Sequence, residues 1–427
     1  MKSLNQIRSL SDLKFVTDRC KRILTLFSGG VDSSYVLKEL ANASNCEVIA
    51  LTIDLGDGVN HEDLNFIASH FGARSIVLDG RETFAREAVL PALRCNAQYM
   101  SIFPISASLS RPIISRMATE IAQELGCGAI VHTANQSQNS LRRLNGAIHQ
   151  LGFNGFFGSP YEYSALSRDE KIAELKLAGL DLFQARGTSG DSNLWCREFE
   201  SGTLDNPEDF SVSHDLFEWT TKRRLDDLPN IISVTFHEGT PVAVDGVEYA
   251  LIELIALLNQ RVGAFGIGRY AGLEHLEQGE KVLEVREAPA AHLLMSAYRH
   301  LETASLETEL IREKHALEQT WVREAVEGRW FGHLREAIDQ FVNETARHIS
   351  GVVQYTLREG VADLCSIRAV KPRYLTDRDS WEKRVAQVRG SRNLSELHAE
   401  SAREKETAKE KSRDASKEAI ELTVEVE

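Results

Sequence analysis

The stretch Phe27 to Ser34, "FSGGVDSS", starts on the last residue of the apolar run "RILTLF" and constrains the fold of this chain more than any other. A β-branched run that ends in a Gly-rich turn and continues as a helical pattern reads as a strand, a tight turn and a helix. Small residues let the backbone N–H groups of such a turn converge on one point, and the helix that follows adds the positive end of its dipole. The product is an anion cradle. A phosphate loop of the form GxxxxGK[ST] would put a lysine on the β- and γ-phosphates, and this one has none. Here the loop offers Gly29 and Gly30 for close backbone approach and the hydroxyls of Ser28, Ser33 and Ser34. It also carries one carboxylate, Asp32, of the kind that helps hold Mg²⁺ beside phosphate oxygens. The plainer reading is a turn with Asp32 or Ser33 as a helix cap. The whole string at the end of a strand favours phosphate.

From about residue 20 to 135 short β-branched runs alternate with helical patterns: "RILTLF", "CEVIALTIDLG", "RSIVLDG" and "CGAIVHTA" are the strands. Strands separated by helices of this length predict an α/β fold with a parallel sheet. On such sheets ligands bind outside the carboxyl ends of the strands. Three stretches fall at that edge: "SGGVDSS", "DLGDG" and "HTANQSQN".

Turn signals crowd residues 185–230, in "RGTSGDSN", "SGTLDNPEDF" and "LDDLPN". Beyond them an α+β pattern takes over, with the amphipathic "EYALIELIALLNQRV", long helices from about 288 to 349 and a hairpin-like pair, "GVVQYTLREG" and "VADLCSIRAV". The expected division is a nucleotide-binding domain over 1–185, an α+β domain over 186–377 and a charged helix or tail over 378–427.

A formal net charge of -14 argues against affinity gained by neutralising many nucleic-acid phosphates. The six cysteines have no CxxC or Cys/His spacing of a zinc site. No apolar stretch is long enough to span a bilayer, and the N-terminus lacks a signal peptide's apolar core, so the expected compartment is the cytoplasm.

The string SGGxDSS resembles the pyrophosphate loop of the N-type ATP pyrophosphatases. Within that superfamily "LPALRCNAQY", "SASLSRPIISRMATEIAQELGCGAIVHTA", "NLWCREFESGTLDNP", "GTPVAVDG" and "FGIGR" resemble the argininosuccinate synthase family in order and spacing, over roughly residues 20–375. The resemblance implies an ATP- and Mg²⁺-dependent ligase of arginine biosynthesis. It adenylates the ureido oxygen of citrulline, releases pyrophosphate and lets the amino group of aspartate displace AMP. It also implies a homotetramer, with "SWEKRVAQV" as a helix that reaches across subunits. Carried over by position, Ser28, Gly29, Gly30, Asp32, Ser33 and Ser34 hold the phosphates, Asp32 and Ser33 being the catalytic pair and Asp32 the metal ligand, and Ile53 lines the adenine site. Ser108, Arg111, Asn139, Arg143, Ser189 and Glu274 match positions that bind citrulline, Asn139 being shared with aspartate.

The departures from the family are concentrated on the substrates. Phe103 stands where the family has a tyrosine whose hydroxyl meets citrulline, Glu198 replaces a serine and Arg286 replaces a tyrosine. The family's Thr-Gly-Lys-Gly-Asn-Asp is here Asn135-Gln136-Ser137-Gln138-Asn139-Ser140, without the threonine and aspartate that contact the aspartate substrate. Losing a carboxylate opposite an ammonium costs about 2 to 5 kcal/mol when the partner charge stays buried. Asn135 and Ser140 remain able to hydrogen-bond an amine. The expected activity is an AMP-forming ligase that adenylates a ureido or carboxyl oxygen, of citrulline or an analogue, and couples it to an amine, aspartate or another; the substitutions favour an altered acceptor or amine over argininosuccinate itself. A tRNA-modifying enzyme with the same loop and a non-catalytic nucleotide-binding paralogue are the alternatives.

Overall fold

The computed structural model describes residues 5–41, 46–56, 58–183, 188–221 and 230–390. The chain divides into two compact units, 1–372 and 373–427. In the second, a helix runs over Arg378–Gly390; the charged stretch expected beyond it, 391–427, lies outside the described residues, as do 185–187 and 222–229 of the turn-rich segment.

Six parallel strands form the first sheet, in the spatial order Gln6–Ile7, Phe156–Gly158, Ala129–Val131, Arg22–Leu26, Glu47–Asp54, Arg74–Asp79. Both faces are covered, which is why the central strands are almost continuously apolar. Ile23, Ala50 and Val131 pack with the helices Val31–Ala41, His61–His70 and Arg168–Leu177 through Val36, Leu37, Leu64, Ile67 and Leu175. Leu24, Ile49, Leu51 and Ile130 pack on the opposite face against Ala118 and Ala122 of helix Ala107–Glu124 and Ile148 of helix Ser140–Gln150. From Arg22–Leu26 the chain steps outward to Glu47–Asp54 and Arg74–Asp79, then returns to Ala129–Val131 on the other side. The strand order reverses at Arg22–Leu26, so the Gly-rich loop sits at the switch point.

The long helical pattern expected between 81 and 126 is interrupted. A helical stretch from Arg81 to Arg94 gives way to a short hairpin, Gln98–Tyr99 with Phe103–Pro104, before helix Ala107–Glu124 begins. Its three-residue loop, 100–102, holds Met100 and Ser101 at φ 48° and 59°, and the Ile102 N–H donates back to the Tyr99 carbonyl.

Past residue 188 come two antiparallel sheets. One is ordered Arg269–His275, Lys281–Glu287, Arg197–Glu200, Ser189–Ser192; the other is ordered Val247–Glu248, Thr240–Val244, Ile231–His237, Gly351–Arg358, Val361–Ala369. The last two strands are the expected C-terminal hairpin. One large core joins Phe84, Leu109 and Ile113 to Trp195, Leu254, Tyr298 and Trp321. The four-stranded sheet is tied to the start of helix Ala107–Glu124 by polar contacts, the Ala107 N–H donating to Glu198 and Arg286 to the Pro104 carbonyl.

Candidate active site

Gly29 has φ +73°, and a Cβ there would lie 2.9 Å from Leu64 Cδ2, so the loop needs glycine both for its backbone and for its packing. Around it the hydroxyls are arranged locally. Ser33 Oγ donates to the Gly30 carbonyl at 3.1 Å and lies 3.3 Å from Ser28 Oγ, while the Gly30 N–H points to Ser28 Oγ at 3.4 Å. Ser34 is fully buried in the first helical turn and its Oγ has no partner. An orphaned donor at the start of a helix suits a phosphate oxygen. Ile53, half-buried, packs beside Gly80 at the end of the neighbouring strand.

Although the loop contains no lysine, one arrives from elsewhere. Lys171 Nζ, from helix Arg168–Leu177, is 2.8 Å from Asp32 Oδ1 and 4.1 Å from the centre of the Tyr161 ring, and Tyr161 OH donates to the Asp32 carbonyl. Neither Lys171 nor Tyr161 was visible as a site residue in the sequence. The helix is announced by its capping box, Ser167 with Glu170, and Lys171 is the next residue, turned inward. Lys171 takes one Asp32 oxygen. A Mg²⁺ held mainly by phosphate oxygens and water needs only the other, so Asp32 fits such an ion.

Facing the sheet's carboxyl edge, the four-stranded sheet presents charge. Side chains two apart share a face, which puts Asp191, Glu198, Glu200, Glu284 and Arg286 on one side. In register, Asp191 lies opposite Glu198, and Glu198 opposite Arg286. Arg286 is almost completely buried. Its guanidinium meets Glu198 Oε1 at 3.0 Å, Glu274 Oε2 at 3.1 Å and the Pro104 carbonyl at 2.6 Å, pairs closely with Glu284, and lies 4.0 Å above the Phe103 ring. Phe103 stacks on Tyr99, whose hydroxyl is 2.8 Å from His275 Nδ1.

Arg143, also buried, pairs with the other oxygen of Glu274, and Asn139 Nδ2 donates to that oxygen at 3.1 Å and to the His275 carbonyl at 2.8 Å. Arg111 spreads over Asp191 Oδ2 at 2.7 Å, Ser140 Oγ at 3.0 Å and Ser110 Oγ at 3.0 Å. Ser108 is buried one position into the same helix, whose first N–H, from Ala107, donates to Glu198. Asn135 accepts from the Ser137 backbone and hydroxyl and so closes its own loop, while Gln138 Nε2 donates to Glu200 at 2.9 Å. Ser189 is exposed at the rim, bonded to Ser201 Oγ. The structure thus gathers Phe103, Ser108, Arg111, Asn139, Ser140, Arg143, Glu198, Glu274 and Arg286 around one network and leaves Ser189 and Asn135 at its edge. Asp191, Glu200 and Glu284 join it without having been singled out. The two-residue strand period linking Glu200 to Glu198 and Glu284 to Arg286 was the available signal; Asp191 comes in through strand register.

Electrostatics follow from burial. Desolvation pushes Glu284 well above the ordinary carboxyl value, with Arg286 opposing and Glu274 and Glu198 adding to the rise. Desolvation works against Glu274 too, yet Arg143 and Arg286 prevail and bring it down to about 2. The same arginines thus favour the charged form of Glu274, while burial pushes Glu284 toward its neutral form. Burial raises Glu198 and Glu200. Under the third loop, desolvation brings His132 down to about 4, and the neutral ring bonds Asn145 at 2.9 Å. Away from the site, Glu302, His315 and Glu318 meet metal-ligand spacing, but Lys314 and Arg299 already pair with both carboxylates.

A lysine-free phosphate cradle at the switch point of a parallel sheet, faced by a polar antiparallel sheet, defines a nucleotide-dependent α/β enzyme. Residues 22–180 match the arginosuccinate synthase N-terminal HUP domain and residues 188–392 match the arginosuccinate synthase C-terminal domain. The argininosuccinate synthase of Oceanobacillus iheyensis is 34% identical over 370 residues, covering 85% of this chain and 88% of that protein. That of Rubrobacter xylanophilus is 33% identical over 366 residues, covering 85% and 89%. The NH3-dependent NAD synthetase structure from Campylobacter jejuni overlaps 40% of this chain and 72% of its own, at 17% identity and a TM-score of 0.27. This chain belongs to the argininosuccinate synthase family, ATP-dependent carbon–nitrogen ligases that form AMP and pyrophosphate. No helix among the described residues is long and apolar enough to cross a membrane.

Proposed function

We propose that the loop from Ser28 to Ser34 binds ATP through its β- and γ-phosphates, that Ile53 borders the adenine, and that an acceptor oxygen, ureido or carboxyl, attacks the α-phosphate. An amine then displaces AMP. Asp32, with Ser33, orients the departing pyrophosphate and shares a Mg²⁺, which when bound neutralises developing charge on the phosphates. Catalysis of this kind is positioning and charge stabilisation, with little covalent work for the protein. Lys171 holds Asp32 in place and adds a positive charge beside the loop. The acceptor lies toward Ser108, Arg111, Asn139, Arg143, Ser189, Glu274 and the substituted positions Phe103, Glu198 and Arg286; the amine lies toward Asn135, Asn139 and Ser140. The reading extends to small amino-acid-like substrates, a cytoplasmic enzyme, and a homotetramer in which the helix Arg378–Gly390 serves assembly.

One observation carries the departure from argininosuccinate synthesis: Arg286 is locked among Glu198, Glu274 and Glu284. A buried arginine that already has three carboxylates has nothing left for a substrate carboxylate, and Phe103 offers no hydroxyl. The test is purified protein with ATP, Mg²⁺, citrulline and aspartate. Pyrophosphate release with other acceptor and amine pairs, and only trace argininosuccinate, is the expected result. Argininosuccinate at an ordinary enzymatic rate refutes the altered substrate, and ATP binding without turnover on a broad panel favours a non-catalytic protein.

A further inference from the structure

Three arginines of the acceptor network are committed to the chain's own acids: Arg111 to Asp191, Arg143 to Glu274, and Arg286 to Glu198, Glu274 and Glu284, while a fourth, Arg142, lies 3.4 Å from His275 Nε2. The acids outnumber the arginines, five to four. Glu200 is the clearest surplus. Among the described residues no lysine or arginine pairs with it; its bond is to the neutral amide of Gln138, at 2.9 Å. A second, independent sign comes from the residue after Gln138. Asn139 is 8% exposed and its Nδ2 is spent on Glu274 and the His275 carbonyl, while its Oδ1 is buried without a donor. A buried acceptor left unmet costs about 1 to 3 kcal/mol, which a ligand N–H removes.

The two unspent groups are linked through the loop 135–140, which also touches Arg111 through Ser140. Both are hydrogen-bond acceptors. We infer that the acceptor substrate of this enzyme ends, on the side facing Glu200 and Asn139, in an ammonium without a neighbouring carboxylate. The inference rests on the ligase reading above and names its substrate class: a ureido or carboxyl oxygen at one end for adenylation, and a bare cation at the other. A carboxylate there would meet Glu200 and Asp191, whose arginine neighbour, Arg111, is already paired with Asp191, whereas an ammonium supplies donors to both Glu200 and Asn139 Oδ1. Burial of Glu200, which holds its carboxyl above the ordinary value, is relieved by the same cation.

Citrulline and its decarboxylated counterpart N-carbamoylputrescine test this directly, since they differ by one carboxylate. Binding to the full chain saturated with a non-hydrolysable ATP analogue and Mg²⁺ is measured by titration calorimetry. N-carbamoylputrescine is expected to bind at least about tenfold more tightly, and Glu200→Gln to remove most of that preference. Citrulline binding as well or better, or neither compound binding, overturns the inference, as does a preference untouched by Glu200→Gln. Pyrophosphate release with N-carbamoylputrescine and an amine is measured separately. Binding with the expected preference but no release with any amine would sink the ligase reading while leaving the charge selection standing.

Discussion

Glu198 and Arg286 face each other across neighbouring antiparallel strands, carboxylate to guanidinium at 3.0 Å. The pair is not isolated: Arg286 also holds Glu274 and Glu284, and Glu274 in turn holds Arg143. A change at either residue therefore propagates through a buried chain of charges.

Removing Arg286 alone strands carboxylates that have no water to turn to. Arg286→Met is expected to lose about 3 to 5 kcal/mol of stability, the usual result of breaking a buried ion pair from one side. Urea unfolding followed by circular dichroism measures it; a loss under 1 kcal/mol would mean that the network is solvated. The double change Glu198→Ser with Arg286→Tyr removes both members and is expected to bind citrulline more tightly than the parent. Unchanged affinity would separate the charge pair from acceptor choice.

Burial raises Glu284 above its ordinary value of 4.5, so above 4.5 the folded state binds more proton there than the unfolded state does. A raised folded pKa gives stability that is complete below 4.5 and drains away as pH rises. Glu284→Gln, which stays neutral, is therefore expected to gain stability relative to the parent between pH 5 and pH 8. Glu274 has the opposite sign: its contribution is present above 4.5 and is lost as pH falls toward about 2. Parallel unfolding curves for parent and Glu284→Gln at pH 5 and 8 decide the matter, and a constant gap between them would place the proton elsewhere.

Lys171 and Asp32 form a partly exposed pair, so Lys171→Met is expected to cost no more than about 1 kcal/mol in stability. Its effect on ATP is larger in proportion. With Asp32 no longer neutralised beside the phosphates, the KM for ATP should rise about tenfold, equivalent to 1.4 kcal/mol. An unaltered KM would reduce Lys171 to a packing role.

Gly29 offers the simplest test of the cradle. Gly29→Ala places a side chain at φ +73° and 2.9 Å from Leu64, a backbone strain of about 1 to 3 kcal/mol. ATP affinity should fall while the far-UV circular dichroism spectrum stays that of the parent. An equal fall for Gly30→Ala, where φ is not positive and the nearest atom is Ser28 Oγ at 3.4 Å, would argue that φ is not the reason.

Local sequence determined much of this protein. The β-branched runs, the lysine-free turn at Ser28 to Ser34 and the spacing of strands and helices specify the parallel sheet and put the loop at its switch point, because strand, turn and helix depend on residues close together in the chain. The hairpin at 98–104 escaped that reading, since its two short strands sit inside a helical pattern and its turn uses Met100 and Ser101 in place of glycine. Charge pairing belonged to the tertiary structure alone. Lys171 reaches Asp32 across 139 residues, and Arg286 meets Pro104 across 182. The pairing of Glu198 with Arg286 depended on strand register, and the upward push on Glu284 depended on burial. Neither is encoded in a window of sequence, because both arise when distant segments exclude water together.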